Sequence, residues 1–275
     1  DLSAESTLAL TATIAAWLML PQHLRGLGVE WSPWIVVPVM LLIGDTIGLV
    51  NGLLITKVKM NNFIVTLAML IILRGIVYVW TGGNTYVGLP DSFAFLGGGS
   101  IGPLPVSVVA VIVAFVVAHI VVTYRVFGRE LYAVGGNREA AFTAGINVDR
   151  TIILAYVVSG TLAAVSGWML AGRLQAVIPK LGEGMIFEVM AAAVIGGVSL
   201  QGGRGSMMGA FGGVMLLSVI DSGLNLMQVS PFWINAIRGL TILVAMFLDS
   251  LKLRYRGGSV VSHAPAAKTE AVTVR

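Results

Sequence analysis

The run 106–124 restricts the possible folds of this chain most strongly, because it is long, rich in valine and free of charged side chains. A valine-rich segment of a soluble protein can be a buried strand, but nineteen residues are far too many for one strand. That length suits a helix that crosses the hydrocarbon core of a membrane. We therefore predict a membrane-spanning helix here.

Seven further apolar runs resemble it, and the composition agrees. Hydrophobic residues make up 57% of the chain, charged residues 11%, and the mean hydropathy is +0.91. These values are typical of polytopic helical membrane proteins. We predict an all-α polytopic membrane protein of about eight transmembrane helices, at about 4–20, 34–56, 63–80, 106–124, 151–171, 185–200, 207–227 and 232–248.

Some segments do not fit a simple span. The run 185–200 is short and contains Gly196-Gly197, so it is interpreted as a short or broken span. The stretch 81–105 is rich in glycine and proline and is predicted to be a loop or a re-entrant segment.

The spans form one predicted transmembrane domain, residues 1–249, followed by a basic tail, 250–275, that we expect to be disordered beyond about Gly257. The chain begins with Asp1 and shows no recognisable signal peptide, so we expect it to lack an earlier part of the protein. It contains no cysteine, which excludes disulfides and cysteine metal sites.

Glycines recur every four positions in two runs, which places them on one helix face. One set is Gly44, Gly48 and Gly52, and a second follows the glycine-rich run 196–205. A bare face lets another helix approach closely. We predict helix packing by both sets, the second being Gly205, Gly209 and Gly213.

Polar side chains inside the spans are costly and are expected to face protein or water. Four are candidates for lining a transport path: Asp45, Asn51, Asn225 and Asn235. For Asp45 and Asn51 a helix-packing role, with a hydrogen bond to a neighbouring helix, is at least as open an interpretation. Arg74 is interpreted as a side chain that snorkels to the interface.

The segment 125–150 is the longest charged interval between two apolar runs. Gly135 and Gly136 are expected to form a tight turn. Asn137 can cap the start of a helix, and Gly145 can end it in a left-handed conformation. We predict a helix of about two turns over 138–144, too short to be stable alone and too polar for lipid. It therefore needs a protein surface to lie against.

The distribution of positive charge predicts the orientation. If the connecting segments alternate between two sides, those at 56–62, 125–150, 200–206 and 249–275 carry twelve Lys and Arg residues. Those at 21–34, 81–105, 172–184 and 227–231 carry three. Basic loops lie on the cytoplasmic side, so segment 125–150 and the C-terminus are predicted to be cytoplasmic.

Two groups of motifs carry a resemblance to a known family. The order Glu139, Ala140, Ala141, three residues, Gly145 resembles the coupling-helix signature of ABC importer permeases. Further motifs are similar to the sugar branch, the ribose and xylose type permeases: Asp1-Leu2-Ser3, Gly128-Arg129, Tyr132-Ala133, Gly135-Gly136-Asn137, the run Gly196-Gly197-Val198-Ser199-Leu200-Gln201-Gly202-Gly203-Arg204-Gly205, Phe232-Trp233, Gly239-Leu240 and Asp249.

The resemblance implies a permease subunit of a bacterial plasma (inner) membrane importer. It would carry a monosaccharide delivered by a periplasmic sugar-binding protein and would pair with a second permease copy or a close paralogue. ATP and Mg would bind to a separate ATPase subunit, and the chain itself would hold no cofactor and be no enzyme. The residues implied to contact the ATPase are Asn137, Arg138, Glu139, Ala140, Ala141 and Gly145.

The residues also bear on other classes of protein. An ion-coupled secondary transporter of a small polar solute would use intramembrane carboxylates, such as Asp45 and Asp221, in two related halves. No convincing internal repeat is present. A membrane-embedded enzyme would need clustered reactive groups, whereas His119 and Glu188 are isolated in the sequence. The glycine-rich run 196–205 lacks the lysine that closes a phosphate-binding loop, so it does not indicate nucleotide binding. The net charge of +4 is attributed to Lys and Arg residues in cytoplasmic loops and does not indicate nucleic-acid binding.

Overall fold

The computed structural model describes residues 1–230 and six residues beyond them, Trp233, Ala236, Ile237, Gly239, Leu240 and Leu243. Most of the predicted span 232–248 and the whole tail 250–275 lie outside the described residues. Residues 1–230 contain ten α-helices: α1 Ala4–Met19, α2 Pro33–Thr56, α3 Asn62–Thr81, α4 Asp91–Gly98, α5 Val106–Tyr124, α6 Val126–Gly136, α7 Arg138–Thr143, α8 Val148–Leu174, α9 Met185–Ile195 and α10 Met207–Leu226. The chain divides into two units, Asp1–Ile220 and Asp221–Arg275.

Four strands of two residues form two small antiparallel ladders within the first unit. β1 (Tyr86–Val87) pairs with β4 (Ala176–Val177), and β2 (Ser100–Ile101) pairs with β3 (Leu104–Pro105). The first ladder joins two connections that are far apart in the sequence.

Among the described residues, five helices are long and apolar enough to cross a membrane: α2, α3, α5, α8 and α10. Their apolar side chains face largely outward, and only 6% of the most apolar window of α5 is buried. An outward apolar surface on a helix with satisfied backbone hydrogen bonds is what a bilayer requires. The prediction of a mostly helical polytopic membrane protein is confirmed at this level. Two shorter apolar helices, α1 and α9, have 16 and 11 residues.

Helix α1 occupies the centre of the first unit, packed against α2, α3 and α8. Nearly all of its residues are buried, including a series of small alanines that let the neighbouring backbones approach. Two buried hydroxyls donate to carbonyls of the same helix: Thr11 Oγ1 lies 2.9 Å from Thr7 O, and Thr13 Oγ1 lies 2.8 Å from Ala9 O. A third, Ser6 Oγ, donates to Leu70 O of α3 at 2.7 Å. These hydroxyls are thereby hydrogen-bonded within the protein.

The connections gather at two ends of the bundle. At one end Lys57 Nζ lies 2.7 Å from Asp149 Oδ2, and Tyr132 OH donates to Gly205 O at 2.8 Å. Segments 56–62, 125–150 and 200–206 therefore meet there. At the other end the ladder of β1 and β4 joins segments 81–105 and 172–184. Because α3 begins in segment 56–62 and ends at segment 81–105, the two groups lie on opposite sides of the bundle.

One local prediction is wrong. Gly135 and Gly136 do not form a turn but belong to α6, because their bare backbone packs against another segment. The stretch 81–105, predicted as a loop or a re-entrant segment, contains the short helix α4, whose Phe93 is fully buried against α8 and accepts a hydrogen bond from Trp168 Nε1 at 2.8 Å. Helix α8 contains the predicted fifth span, about 151–171, and extends a few residues beyond it at both ends.

Candidate functional site

Residues 137–145 form a capped helical projection, here called the knob. At its start Asn137 Oδ1 accepts a hydrogen bond from Ala140 N at 3.0 Å. At its end Gly145 has a φ of +82°, and Ile146 N donates to Ala141 O at 3.1 Å. This is the hydrogen bond of a Schellman C-cap. Both capping predictions for this short helix are confirmed.

One side of the knob is buried and the rest is exposed. Ala141 is 3% exposed, whereas the side chain of Phe142 beside it is 73% exposed. Sequence reasoning missed Phe142, although an exposed aromatic residue in a charged turn is a residue type enriched at interfaces. The other residues predicted to contact an ATPase are all exposed: Asn137, Arg138, Glu139, Ala140 and Gly145.

The base of the knob is fixed to the helices around it. Asn147 Oδ1 caps α8 by accepting from Arg150 N at 3.0 Å. Thr151 Oγ1 donates to Glu130 Oε2 of α6 at 3.4 Å. The exposed ion pair between α8 and the end of α2 adds a further contact at this end. The knob is thus a supported protrusion rather than a free loop.

The first predicted glycine set lies along the contact between α2 and α8. A Cβ added at Gly44 would overlap Gly160 O, and one added at Gly160 would overlap Gly44 O. A Cβ at Gly48 would overlap Tyr156 O, and one at Gly52 would lie 2.9 Å from Ile153 Cα. The two backbones therefore touch along more than two turns.

The second glycine set lies between α9 and α10 in part. A Cβ at Gly209 would overlap Gly196 O, and one at Gly213 would overlap Ala192 O. Gly205 has a φ of +144° and precedes α10, so it lies in the loop rather than on the helix face. The stripe on α10 therefore begins at Gly209.

Two of the candidate path residues bond to neighbouring segments within the protein. Asn51 is fully buried, and its Nδ2 donates to Ser3 Oγ at 2.8 Å, while its Oδ1 has no hydrogen-bond partner among the described residues. Asp45 is half-buried and accepts a hydrogen bond from Thr161 Oγ1 of α8. Both arrangements agree with the packing alternative.

The other two candidates lie in the second unit. Asn225 is exposed, and its Nδ2 donates to Asp221 O of the same helix at 2.8 Å. Asn235 lies outside the described residues.

Arg74 does not snorkel, which corrects the sequence interpretation. Its Nη2 lies 2.9 Å from Glu5 Oε1, and its Nη1 donates to Pro179 O and Leu181 O at 3.2 and 3.0 Å. Glu5 Oε2 accepts from Gly184 N at 2.9 Å. A buried ion pair with its remaining groups hydrogen-bonded is more favourable here than a single cation that must reach the interface. The sequence shows that both residues are charged within predicted apolar runs, but it does not show that they pair.

A cavity of about 460 Å³ opens between α1, α8 and α9. Its wall is mostly apolar, with a few polar side chains: Glu5, Ser159 and Ser166. This is the size range and composition of small-molecule sites in proteins. The described part of the chain holds no group of three or more His, Asp or Glu residues that could bind a metal ion.

At the end of the bundle opposite the knob, Tyr86 is buried in the ladder with β4. Burial raises the pKa of its phenol, and the nearby positive charge of Arg25 opposes this only in part. The side chain is therefore neutral at physiological pH.

The helices and their lipid-facing surface define the class as a multi-pass helical membrane protein. A family model described as "Branched-chain amino acid transport system / permease component" matches residues 1–246. The chain belongs to this family, and the resemblance to importer permeases drawn from its motifs is confirmed.

Three relatives illustrate the similarity. The ribose import permease protein RbsC of Bacillus subtilis is 41% identical over 204 residues, which cover 74% of this chain and 63% of that protein. RbsC of Haemophilus influenzae is 35% identical over 254 residues, 91% of this chain and 76% of the relative. The L-arabinose ABC transporter permease protein AraH of Azospirillum brasilense is 35% identical over 256 residues, 93% and 73% of the two chains. No solved structure matches the chain.

Proposed function

We propose that the chain is the transmembrane permease subunit of an ATP-binding-cassette importer for a monosaccharide. A periplasmic binding protein delivers the sugar, and ATP hydrolysis on a separate subunit drives its passage across the bacterial inner membrane. ATP and Mg²⁺ bind to that ATPase, and this chain binds no cofactor. The similarity to permeases named for ribose and L-arabinose import supports the choice of a monosaccharide.

The knob carries the proposal. It is a short helix with both ends capped, with Glu139 and Phe142 exposed and with Ala141 turned inward. A helix this short is not stable in isolation, so the caps and the contacts at its base are what keep it folded. A short helix held in this way is suited to form a rigid contact with another subunit. We assign the ATPase contact to Asn137, Arg138, Glu139, Ala140, Ala141 and Gly145.

The arrangement of connections supports the proposed topology. The segments that we assign to the cytoplasm are rich in Lys and Arg, and three of them meet at the end that carries the knob. We propose eight spans: the five long helices, α1, the short α9 and the segment 232–248. At 1.5 Å per residue α1 covers about 24 Å, enough for a span in the protein interior.

A second copy or a close paralogue completes the transporter in this proposal. Two permeases side by side enclose a path that one bundle alone does not. Glycine contacts such as Gly44 on Gly160 hold the helices of each copy closely packed. Asp45 and Asn225 stay candidates for the wall of the path because both present polar groups outside the fully buried core.

The test is sugar uptake by the complex in vesicles. The chain is reconstituted with its ATPase, and a binding protein loaded with ribose, arabinose or galactose is supplied on the side opposite the knob. The proposal predicts uptake that requires ATP and is insensitive to collapse of the ion gradient. Uptake that persists without ATP and follows an imposed proton or sodium gradient would instead establish the ion-coupled transporter.

A further inference from the structure

The loop 199–205 between α9 and α10 lies directly against the C-terminal half of α6. A Cβ at Gly135 would lie 2.5 Å from Gly203 N, and one at Gly203 would lie 2.6 Å from Gly136 N. Alongside this contact Tyr132 OH donates to Gly205 O at 2.8 Å. Two backbones thus touch with no side chain between them, and one hydrogen bond fixes their register.

The loop is compact enough to act as one body. Ser199 N donates to Arg204 O at 3.0 Å, and Gly202 N donates to Ser199 O at 3.1 Å. Gly202 and Gly203 have φ values of +92° and +71°, which residues with a Cβ adopt only with strain. The loop therefore has a defined shape that its glycines make possible.

The same kind of contact continues from the loop into the helices on either side of it. Gly196 and Gly209 each lack room for a Cβ because of the other's carbonyl oxygen. Gly213 packs on Ala192 O one turn further along. The loop, α9 and the first half of α10 are consequently locked together, since close-packed backbones do not deform gradually.

At its C-terminal end, α6 is separated from α7, the helix of the knob, by the single residue Asn137. Asn137 N donates to Ala133 O of α6, and Asn137 O accepts from Ala141 N of the knob, both at 3.0 Å. Because Asn137 is hydrogen-bonded to both helices, a displacement of the knob also displaces α6.

We propose that the contact of Gly135 and Tyr132 with loop 199–205 is a mechanical joint that transmits displacement of the knob to α9 and α10. The inference rests on the proposed function, because the displacement comes from the ATPase. Helix α9 supplies Met185, Ile186 and Val189 to the wall of the 460 Å³ cavity. Movement through the joint thus changes the width of that cavity. Tyr132, Gly135 and Gly203 are positioning residues, since they touch neither nucleotide nor sugar.

Neighbouring glycines provide a matched pair of variants. Gly135→Ala places a methyl group against the backbone of the loop, whereas Gly136→Ala meets nothing within 4 Å on the same helix. Tyr132→Phe removes only the hydrogen bond to the loop. All three are compared in the full complex with the ATPase and the sugar-loaded binding protein.

The readouts separate coupling from folding. Because the chain has no cysteine, Leu162→Cys on α8 and Val189→Cys on α9 can carry spin labels across the cavity. In the parent protein and in Gly136→Ala we expect their distance to change with nucleotide. In Gly135→Ala we expect the ATPase still to copurify, the distance change to disappear and uptake to fall about tenfold.

An unchanged nucleotide-dependent distance and equal uptake in Gly135→Ala and Gly136→Ala would overturn the joint while leaving the importer intact. If Gly135→Ala is not recovered from the membrane, the Tyr132→Phe variant provides the test. The proposed joint predicts that this variant binds the ATPase normally but takes up less sugar than the parent protein. Normal sugar uptake by Tyr132→Phe would refute the joint. If the parent complex shows no ATP-dependent uptake, the proposed function fails and the joint fails with it.

Discussion

Arg74 Nη2 lies 2.9 Å from Glu5 Oε1, and the two side chains are only 11% and 5% exposed. The pair connects α1 to α3. Because the same two side chains bond to Pro179, Leu181 and Gly184, it also anchors the segment that leads into α9. A charge pair that looks costly in an apolar bundle thus organises three separate parts of the chain.

Removing one partner of this pair should destabilise the protein strongly. We expect Arg74→Met to lower the free energy of unfolding by about 3–5 kcal/mol, because it leaves the Glu5 carboxylate buried without its cation. Adding Glu5→Gln should recover part of the loss. The measurement is denaturant unfolding in detergent followed by circular dichroism.

The exposed pair of Lys57 and Asp149 is the control. Its side chains are 62% and 46% exposed, so Lys57→Met should cost at most about 1 kcal/mol. Equal losses from Lys57→Met and Arg74→Met would show that the buried pair has no special structural role.

Two glycines in long helices should respond to alanine with opposite signs. Gly44→Ala forces α2 away from Gly160 and should lower the free energy of unfolding by about 1–3 kcal/mol. Gly75→Ala, on α3 with nothing within 4 Å, should be neutral or stabilise by up to about 1 kcal/mol through helix propensity. The same unfolding experiment measures both. If Gly75→Ala is destabilising, the face of α3 that carries Gly75 must pack against another protein segment in the membrane.

The C-cap of the knob should matter for ATPase binding more than for folding. Gly145→Ala strains a residue at φ +82° by roughly 1–2 kcal/mol and distorts the end of the knob. We expect the Kd for the ATPase subunit to rise about fivefold to thirtyfold, measured by titration in nanodiscs.

Gly102→Ala is the matched control for that prediction. Gly102 also has a positive φ, +61°, and open space around it, but it lies in the hairpin of β2 and β3 at the other end of the bundle. The Gly102→Ala variant should bind the ATPase subunit with the same Kd as the parent protein. If both variants bind the ATPase normally, the cap is unimportant for the contact.

The orientation can be checked by labelling single cysteines in intact cells. Glu139→Cys and Arg204→Cys should react with an impermeant maleimide only after the cells are permeabilised. Thr85→Cys and Lys180→Cys should react from outside, and all four side chains are exposed in the single chain. The absence of natural cysteine makes the assay direct. Outside labelling at position 139 would reverse the proposed topology.

Local features of this fold could be predicted from the sequence because their causes are local. An unbroken apolar run such as Val106–Tyr124 determines a helix without reference to the rest of the chain. The caps at Asn137 and Gly145 could likewise be recognised, since each acts on a turn adjacent to it in sequence.

Features that depend on distant partners could not be predicted. Glu5 is 69 residues from Arg74, and no spacing rule connects them, so snorkelling was the natural but wrong interpretation. Gly135 resembled a turn residue because its actual reason, the approach of Gly203, is far away in the chain. The short α4 was missed because eight residues ending in two glycines show no clear helical period.

The most direct test of the coupling role is ATP turnover by the reconstituted complex, stimulated by sugar-loaded binding protein, when the knob is made bulky by Glu139→Trp. Val113→Trp, on the outward face of α5, is the control for insertion and folding. The proposal predicts that stimulated turnover falls at least about tenfold in Glu139→Trp and stays normal in Val113→Trp. Stimulated turnover at the parent rate in Glu139→Trp would contradict it.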